Sequence, residues 1–376
     1  MMQYNNTFLL AIFLVFAVVA AIQLFYYLFF YLSVYLHKPD GSKSEKPPVS
    51  IIICARNEAE NLKKFLPAVL EQDYPDYEVI VVNDCSEDTS YDILGTFLIK
   101  YPHLKISTVN KDPKFTHNKK MAQFIGIKAA KNEILLFTDA DCEPESNRWL
   151  EAMTSHFTPE TNFVLGYGGY NKGRGLLNKY IRYDCLTIGM QYLGMAIKGI
   201  PYMGVGRNLA YRRSLFFDNK GFGAHNHLQS GDDDLFVNSN ANGKNTCIEF
   251  SAGTHTLSVA AKSLPEWFTQ KKRHLTTAPY YKLRDKFLLI TETFSRVIFY
   301  ASLIVLLSFT FLWPYVLGIF GLRLIVQATV FYLVSKKLSD PGLVTYSLFF
   351  DIFSPVINSM IFLGSLRNRS GKNRWK

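Results

Sequence analysis

The chain has 376 residues, of which 48% are hydrophobic and 19% are charged, and 41 Lys and Arg against 31 Asp and Glu give it a net charge of +10. This composition excludes intrinsic disorder, and ordinary numbers of Gly (23) and Pro (15) exclude a collagen-like or low-complexity chain. The apolar residues lie mainly at the two ends, with charged and turn-forming residues between them. That distribution predicts a membrane protein with a soluble insert.

The first predicted element is a membrane-spanning helix over Phe8–Leu36, a stretch without a charged residue. About 20 apolar residues are enough to cross the hydrocarbon core of a bilayer. No Lys or Arg precedes this stretch, so we interpret it as an uncleaved anchor rather than a signal peptide. Because Lys38, Lys43 and Lys46 follow the helix, the positive-inside rule predicts that the insert faces the cytoplasm.

The middle of the chain, from about residue 47 to residue 291, predicts an α/β domain. The β-rich runs Val49–Cys54, Glu78–Val82 and Ile134–Phe137 alternate with the helix-like stretches Ala59–Gln72 and Lys119–Lys131. Such βαβ units form open parallel sheets, whose ligands bind outside the carboxyl ends of the strands. Polar residues follow those strand ends here, namely Arg56, Asn57, Glu58, Asp84, Asp139 and Asp141.

The predicted strand ends lack the two common phosphate-binding motifs. Neither a GxGxxG after the first strand nor a GxxxxGK[ST] sequence occurs, which excludes a dinucleotide fingerprint and a P-loop. Thr138–Asp141 offers carboxylate oxygens instead, which suit Mg²⁺ or Mn²⁺ bridging a diphosphate. A DxD sequence alone also suits a solvated loop or a helix cap. Its position after a buried strand favours the metal.

Two further polar clusters precede the C-terminal apolar blocks. Asp232, Asp233 and Asp234 either cap a helix predicted at Leu235–Asn240 or include a general base, whose pKa like-charge repulsion would raise. Gln270–His274 is a basic stretch in a predicted interfacial amphipathic helix, and it suits a lipid-binding collar, diphosphate binding or both. The five cysteines form no CxxC pair and indicate reduced, mostly buried side chains.

The C-terminal apolar blocks predict the remaining membrane segments. Phe294–Val334 is long enough for two spans joined by a tight Trp-Pro-Tyr turn, and Arg323 in the second span is expected to face protein rather than lipid. A single span over Leu343–Leu366 would leave the basic tail outside the cytoplasm, against the charge rule. We therefore expect a broken helix or a re-entrant hairpin there, with Asp351 and Pro355 in mid-block.

These motifs, in this order, resemble those of membrane-anchored family 2 glycosyltransferases, similar to the catalytic domains of cellulose synthase-like and hyaluronan synthase-like enzymes. The resemblance covers about residues 47–274. It implies an α/β fold, a GT-A nucleotide-diphospho-sugar transferase domain with a Rossmann-like mixed sheet, together with transmembrane α-helices. Ser50–Glu58 resembles the first strand and its Asn-Glu turn, Val82–Ser86 the second strand end, and Lys119–Ala122 the KxxA start of a donor-binding helix. The implied donor-binding or nucleotide-binding residues are Asn57, Glu58, Asp84, Lys119, Asp139, Gln270 and Arg273.

The resemblance also implies residues for the metal, the chemistry and the acceptor. Asp139 and Asp141 match the DxD, with Asp141 as the expected ligand of Mg²⁺ or Mn²⁺ and Asp139 beside it, nearer the ribose. Ser230–Leu235 resembles the acidic base motif, which makes Asp233 the base, or Asp232 if the alignment shifts by one residue. The implied acceptor-binding residues are Gly206, Asn208 and His274. The last of these stands where the QxxRW motif of processive synthases has Trp.

The predicted organisation has four segments. They are an N-terminal transmembrane anchor and linker (1–46), a GT-A catalytic domain (47–262), an interfacial helix region with the QxxRH sequence (263–292), and a C-terminal transmembrane region with a basic tail (293–376). We expect an integral protein of the plasma (inner) membrane with its catalytic domain in the cytoplasm.

The expected function is an inverting transfer of sugar from a nucleotide-sugar, with a UDP-sugar favoured by the resemblance. The acceptor is a lipid, a lipid-linked saccharide or a polysaccharide, and membrane lipids are further partners. A single transfer is slightly favoured over a processive synthase, and a catalytically silent nucleotide-sugar sensor is the alternative from another class. A transporter is disfavoured, because the polar motifs lie outside the spans. No nucleic-acid partner is expected, since the excess positive charge lies partly beside membrane spans and accompanies no nucleic-acid-binding motif.

Overall fold

A computed structural model describes residues 2–38, 46–111, 118–226, 228 and 230–367 of the protein. Lys43 and the basic tail beyond residue 367 lie outside the described residues. The described residues form ten β-strands: β1 Val49–Ala55, β2 Tyr77–Asp84, β3 Leu104–Val109, β4 Ile134–Asp139, β5 Cys142–Pro144, β6 Phe163–Gly166, β7 Gly168–Tyr170, β8 Leu209–Arg212, β9 Thr246–Glu249 and β10 Thr256–Ser258.

The described residues also form thirteen α-helices. They are α1 Met2–Phe25, α2 Leu32–Leu36, α3 Ala59–Leu70, α4 Ser90–Lys100, α5 Lys119–Ala129, α6 Trp149–Thr154, α7 Leu176–Ile197, α8 Arg213–Asp218, α9 Asp234–Asn240, α10 Leu264–Leu275, α11 Leu283–Ser308, α12 Trp313–Lys337 and α13 Val344–Arg367.

A mixed sheet of seven strands forms the centre of the insert, in the order β3-β2-β1-β4-β8-β6-β9. Strands β1 to β4 are parallel, and β8 runs antiparallel to β4 and β6. Every residue of β1 is buried, as expected for a continuous apolar strand covered on both faces. The predicted βαβ units are confirmed, because a parallel crossover needs a helix and the sequence supplies α3 between β1 and β2.

The strand registers bring the predicted polar turns to one edge of the sheet. Cys54 near the end of β1 pairs with Val82 of β2 on one side and with Asp139 of β4 on the other. Asp84 ends β2, two residues beyond that level. The turn after β1, the end of β2 and the DxD sequence therefore lie side by side.

A second sheet of three strands, in the order β5-β10-β7, begins directly after the DxD sequence. Ser258 of β10 pairs with Cys142 of β5 on one side and with Tyr170 of β7 on the other. A contact of 2.8 Å between Cys142 Sγ and Ser258 Oγ reinforces this register. The small sheet thus holds the DxD sequence at a fixed distance from Tyr170.

Four helical segments of the described residues are long and apolar enough to cross a membrane: Asn6–Leu36, Leu283–Ser308, Trp313–Lys337 and Val344–Gly364. The first consists of α1, a π-helical stretch over Tyr26–Tyr31 and α2. The next two are α11 and α12, separated by a four-residue turn, with a Pro in the first turn of α12. The predicted first span and the predicted helical pair are thus confirmed as membrane-length helices.

The predicted break in the last apolar block is wrong. α13 runs from Val344 to Arg367 as one helix with Pro355 inside it. The expectation rested partly on the cost of Asp351 in a membrane. That carboxylate is buried and accepts hydrogen bonds from Arg323 Nη2 (2.5 Å) and Tyr300 OH (2.7 Å), so its charge is compensated without any interruption of the helix.

Arg323 lies among the membrane helices, as predicted. Its side chain is fully buried, and besides Asp351 it contacts Gln23 of α1, Tyr300 of α11 and Gln327. Arg296 of α11 donates to the other oxygen of the same carboxylate at 3.2 Å. The charges of these helices therefore neutralise one another in the interior of the bundle.

Helices α7 and α10 pack directly against the membrane helices. Gly194 of α7 lies so close to the first span that an added Cβ would be 2.4 Å from the carbonyl oxygen of Phe30. Trp267 of α10 is buried with Ile181 of α7 and Ile361 of α13. The predicted interfacial region 263–292 contains α10 and the first residues of α11, so the expected boundary at residue 293 falls within a continuous helix.

Candidate active site

The three adjacent aspartates before α9 have three different environments. Asp234 is buried, and its Oδ2 accepts hydrogen bonds from Thr277 Oγ1 and from Tyr281 OH (2.6 Å). Its Oδ1 accepts the N–H of Leu235 at 2.8 Å. Asp234 therefore anchors the segment after α10 to the acidic triplet, and its oxygens are already occupied by the protein.

Asp233 is half-buried and faces the cleft with both oxygens oriented by the backbone. Oδ2 accepts the N–H of Gly206 at 2.7 Å, and Oδ1 accepts the N–H of Asp234 at 2.8 Å as the N-cap of α9. Burial, together with the charges of Asp232 and Asp234, raises the pKa of Asp233 from 3.8 to about 7. The helix-cap and general-base interpretations are thus compatible, because a carboxylate with a pKa near neutrality suits proton abstraction.

Lys119, the first residue of α5, lies between the acidic triplet and the DxD sequence. Its Nζ donates to Asp139 Oδ1 at 2.6 Å and lies 3.7 Å from Asp232 Oδ2. That oxygen of the buried Asp232 has no hydrogen-bond partner among the described residues. Burial opposes the charge of Lys119, but the two carboxylates outweigh it and raise the pKa of this lysine. Lys119 therefore links the two acidic motifs across one cleft.

The end of β4 offers a ligand set for a divalent cation. Ligand atoms of Asp139, Asp141 and Cys142 lie within 4.8 Å of one another. Burial and the charge of Asp141 raise the pKa of the Cys142 thiol well above its usual value, so it stays protonated and is a poor ligand for a hard cation. Two carboxylates remain, and they fit Mg²⁺ or Mn²⁺. Because Lys119 occupies Oδ1 of Asp139, Asp141 is the better placed of the two.

The turn after β1 supports the loop after β2. Asn57 has a left-handed backbone (φ 53°), its N–H donates to Ser86 Oγ at 3.0 Å, and its Oδ1 accepts the N–H of Glu87 at 2.7 Å. Glu58 precedes α3, and Asp84 is buried at the end of β2. The structure thus brings the three predicted nucleotide-binding residues to one sheet edge, where Asn57 orders the neighbouring loop.

Helix α10 carries the predicted QxxRH residues into the same cleft. Gln270 Nε2 lies 3.4 Å from Tyr170 OH, and the carbonyl of Arg273 accepts a hydrogen bond of 3.0 Å from Ser230 Oγ, just before the acidic triplet. His274 is exposed in the cleft.

Lys271 is not available for the diphosphate role that we considered for the basic stretch. Its Nζ is buried and donates to both carboxylate oxygens of Asp184 on α7, at 2.7 and 2.5 Å. An ion pair of this kind holds α10 against α7. The basic pattern of the sequence could not reveal it, because the partner lies 87 residues away.

Two of the three predicted acceptor residues have other roles. Asn208 is fully buried, accepts from Trp149 Nε1 at 3.0 Å and donates to the carbonyls of Tyr167 and Thr254 at 2.8 and 2.9 Å. It stabilises the junction of the two sheets and has no surface for an acceptor. Gly206 is buried against the Asp233 carboxylate, so it orients that group. His274 alone keeps an accessible position.

Arg207 and Tyr170 are residues of the cleft that the sequence analysis missed. The Arg207 guanidinium lies over the Tyr170 ring at 4.5 Å, and its Nη2 donates to the carbonyl of Gly168 at 2.6 Å. Burial favours the neutral form of Asp139, but the contact with Lys119 and, to a smaller extent, the charge of Arg207 outweigh it and lower the pKa of Asp139. In the sequence, Arg207 is recognisable only as a basic residue in a glycine-rich segment before a buried strand. That pattern is too common to assign the residue a role.

Residues 50–218 match the sequence model of the family described as Glycosyl transferase family 2. The chain carries a glycosyl transferase family 2 domain. The match includes all of β1 except Val49, the DxD sequence and β8, and it ends before the acidic triplet.

Curated relatives of this family 2 domain are glycosyltransferases. "Glycosyltransferase AglE" of Haloferax volcanii is 39% identical over 110 residues, which are 29% of this chain and 34% of that protein. "Probable glycosyltransferase YdaM" of Bacillus subtilis is 29% identical over 180 residues, or 46% of this chain and 42% of that protein. The chain therefore spans less than half the length of these two relatives in its matches.

One solved structure is similar along most of the chain. The mannosyltransferase PcManGT from Pyrobaculum calidifontis, in complex with GDP-Man and Mn²⁺, has a TM-score of 0.58 at 17% identity and covers 91% of this chain and 99% of that one. A likeness at this identity concerns the fold. The family 2 domain thus has the mixed α/β sheet typical of GT-A, accompanied by long apolar helices.

Proposed function

We propose that this protein is a membrane-bound, inverting glycosyltransferase that moves a sugar from a nucleotide-sugar to an acceptor hydroxyl. The observation that carries the proposal is the position of Lys119, which contacts Asp139 of the DxD sequence and approaches Asp232 of the acidic triplet. A metal-binding motif and a candidate base therefore face one cleft. A base activates the attacking hydroxyl and a metal ion stabilises the leaving diphosphate, so the two groups suit a single displacement at an anomeric carbon.

The metal half of the site consists of Asp141 with Asp139 beside it, which would hold Mg²⁺ or Mn²⁺. When bound, the cation supplies positive charge that stabilises the diphosphate as the glycosidic bond breaks. Lys119 holds Asp139 in place and adds a cation on the same side. Asn57 and Asp84 support the nucleotide side of the cleft through the loops after β1 and β2.

The base half of the site consists of Asp233, oriented by the N–H of Gly206. Its raised pKa lets it accept the proton of the attacking hydroxyl near neutral pH. We favour Asp233 over Asp232 because Asp232 is more deeply buried and lies toward Lys119. Attack from the side opposite the leaving diphosphate would invert the anomeric centre.

The acceptor is proposed to be a lipid, a lipid-linked saccharide or a polysaccharide. Support comes from α10, which brings Arg273 and His274 to the cleft while Trp267 packs on α13. The cleft therefore lies beside membrane helices, where a lipid-attached acceptor would emerge. We propose a UDP-sugar as donor on the sequence resemblance. The GDP-Man bound to the mannosyltransferase of similar fold makes guanosine donors the first alternative to test.

We propose that the insert lies on the cytoplasmic side of the plasma (inner) membrane. Basic residues flank three of the four helix ends on the side of the insert: Lys38 after α2, Lys282 and Arg284 at the start of α11, and Lys336 and Lys337 at the end of α12. The turn between α11 and α12, on the opposite side, carries no charged residue. These helix ends and this turn follow the positive-inside rule, whereas α13 as a fourth span would carry Arg367 to the side opposite the insert, against that rule. The proposal therefore rests on the first three spans.

The decisive experiment is nucleoside-diphosphate release by the detergent-purified protein with Mn²⁺ or Mg²⁺, native membrane lipid and a panel of nucleotide-sugars. We expect release from one donor. We also expect Asp233→Asn to lower turnover by about 100- to 10,000-fold, the usual contribution of a positioned base, while donor binding persists. The surface variant Asp218→Asn is the matched control. Donor binding without turnover on any acceptor would favour the sensor alternative.

A further inference from the structure

Among the residues that the structure describes, the guanidinium of Arg207 has no carboxylate partner, and it lies between the two halves of the site. Arg207 follows Gly206, whose N–H holds the candidate base, and its own carbonyl accepts a hydrogen bond of 2.9 Å from Thr256 of β10. Strand β10 pairs with β5, which begins directly after the DxD sequence. The backbone around Arg207 is therefore tied to both acidic motifs.

The neighbouring residues fix the position and orientation of the Arg207 guanidinium. The ring of Tyr170 lies under the guanidinium, and Gly168 leaves room beside it, because an added Cβ would be 2.4 Å from Arg207 Nε. Nη2 contacts the Gly168 carbonyl and Cys185 Sγ (3.1 Å). Stacking on an aromatic face and donation to a carbonyl hold a planar guanidinium in one orientation.

The contacts satisfy only part of its hydrogen-bonding capacity. Within the described part of the chain, the buried Nε of Arg207 has no hydrogen-bond partner and its guanidinium forms no ion pair. Part of the residue remains accessible from the cleft. An arginine has five N–H donors in a fork that matches phosphate oxygens, and a largely desolvated cation without a counter-charge is costly. These features are those of an anion-binding side chain.

We propose that Arg207 binds a phosphate group of a substrate in this cleft. The inference rests on the proposed function, since it assigns a further contact within the same site. Two phosphates could reach the guanidinium. One is the diphosphate of the donor, held from the DxD side, and the other is the phosphate of a lipid-linked acceptor arriving from the side of α10.

The test compares wild type with Arg207→Gln, Arg207→Lys and Gly168→Ala in the full-length protein in detergent. The first arm measures binding of UDP and GDP with Mn²⁺ by calorimetry, and the second measures the KM for lipid acceptor during sugar transfer. Arg148→Gln is the matched control, because Arg148 is an exposed arginine paired with Glu151. Melting temperatures of all variants are recorded to confirm folding.

We expect loss of a charged hydrogen-bond donor to weaken phosphate binding by about tenfold to a hundredfold in one arm. Weaker nucleoside-diphosphate binding identifies the donor as the source, whereas an unchanged affinity with a raised acceptor KM identifies the acceptor. Arg207→Lys, which keeps the charge without the fork, and Gly168→Ala, which displaces the guanidinium, should have intermediate effects.

Two outcomes separate this inference from the proposed function. A folded Arg207→Gln variant that matches wild type in both arms overturns the phosphate contact and leaves the transferase proposal intact. A wild-type protein that neither binds a nucleoside diphosphate nor transfers sugar overturns the proposed function, and this inference with it.

Discussion

Asp232, Asp233 and Asp234 are adjacent in sequence and chemically distinct in the folded protein. Asp234 is bonded to Thr277 and Tyr281, Asp232 lies toward Lys119, and Asp233 faces the cleft. Their mutual repulsion, added to burial, explains why the pKa of Asp233 is raised to about 7. At the residue scale, one motif thus provides both a structural anchor, Asp234, and a candidate base, Asp233. Adjacent side chains of the chain point in different directions and therefore enter different environments.

The raised pKa predicts an acidic limb in the activity profile. Asp233 must be deprotonated to accept a proton, so we expect kcat/KM to fall about tenfold for each pH unit below about 7. The pH–rate profile of purified enzyme between pH 5 and 9 measures this. A profile that stays flat down to pH 5 would contradict the assignment of Asp233 as the base.

The same carboxyl group should make the folded protein more stable as the pH falls, whereas it makes the enzyme less active. The folded state holds the proton of Asp233 more tightly than the unfolded chain, since the pKa rises from 3.8 to about 7 on folding. The contribution of this residue to the free energy of unfolding therefore grows as the pH falls from about 7 to about 4. Thermal unfolding of wild type and Asp233→Asn across this range isolates it, because the variant lacks the titrating group.

Removal of the metal ligand should act on donor binding. We expect Asp141→Ala to lose most metal-dependent nucleoside-diphosphate binding, whereas Glu143→Ala, which removes an exposed acid two residues later on β5, keeps it. Calorimetry with and without EDTA measures both variants. Full transfer activity in EDTA would remove the metal from the proposed mechanism.

At the scale of elements, the last membrane helix depends on a buried ionic contact. Asp351 of α13 receives Arg323 from α12 and Arg296 from α11, so three helices share one carboxylate. Such a contact is costly to break, because the remaining charges stay buried without a partner. It also explains why a helix with an acid in its middle remains continuous.

We therefore expect Asp351→Ala to lower the free energy of unfolding by about 3–5 kcal/mol. Thermal unfolding in detergent reports the change. The double variant Arg323→Met with Asp351→Leu removes the buried pair and leaves Arg296 with Glu292, at 3.0 Å, and should recover much of the loss. A single variant as stable as wild type would mean that the contact is solvated or absent.

At the scale of the whole molecule, the family 2 domain and the membrane helices are joined through α7 and α10. Lys271 of α10 pairs with Asp184 of α7, Arg182 of α7 pairs with Asp340 after α12, and Gly194 lies against the first span. The cleft is thereby held at a set position beside the membrane helices. This architecture suits an acceptor that remains attached to the membrane.

The proposed topology predicts which positions face each side of the membrane. In a variant with Cys85 and Cys247 replaced by Ser, we expect Thr310→Cys, in the turn between α11 and α12, to react with an impermeant maleimide on intact cells. Ser339→Cys, which follows α12, should react only after permeabilisation. Both positions are exposed at the surface of the protein. Reversed labelling would place the domain outside the cytoplasm.

Several features could be predicted from the sequence because their signals are local. Uncharged apolar stretches of membrane length predicted the first span and the α11–α12 pair, and β-rich runs alternating with helical ones predicted β1, β2 and β4 with their crossovers. The same holds for the placement of Asn57, Asp84 and Asp139 at one sheet edge, since the carboxyl ends of parallel strands meet there.

Other features depend on contacts between distant parts of the chain and became apparent only from the packing. Asn208 is buried, and its side chain is hydrogen-bonded to Trp149 and to the carbonyl of Thr254. Lys271 is unavailable to the cleft because it forms an ion pair with Asp184. Asp351 does not break its helix, because two arginines from other helices neutralise it. The sequence is enough to locate the motifs and the apolar spans, because both are local patterns. Which charged side chains remain available for substrate depends on packing, because the identity of a polar residue does not reveal whether it is paired in the folded protein.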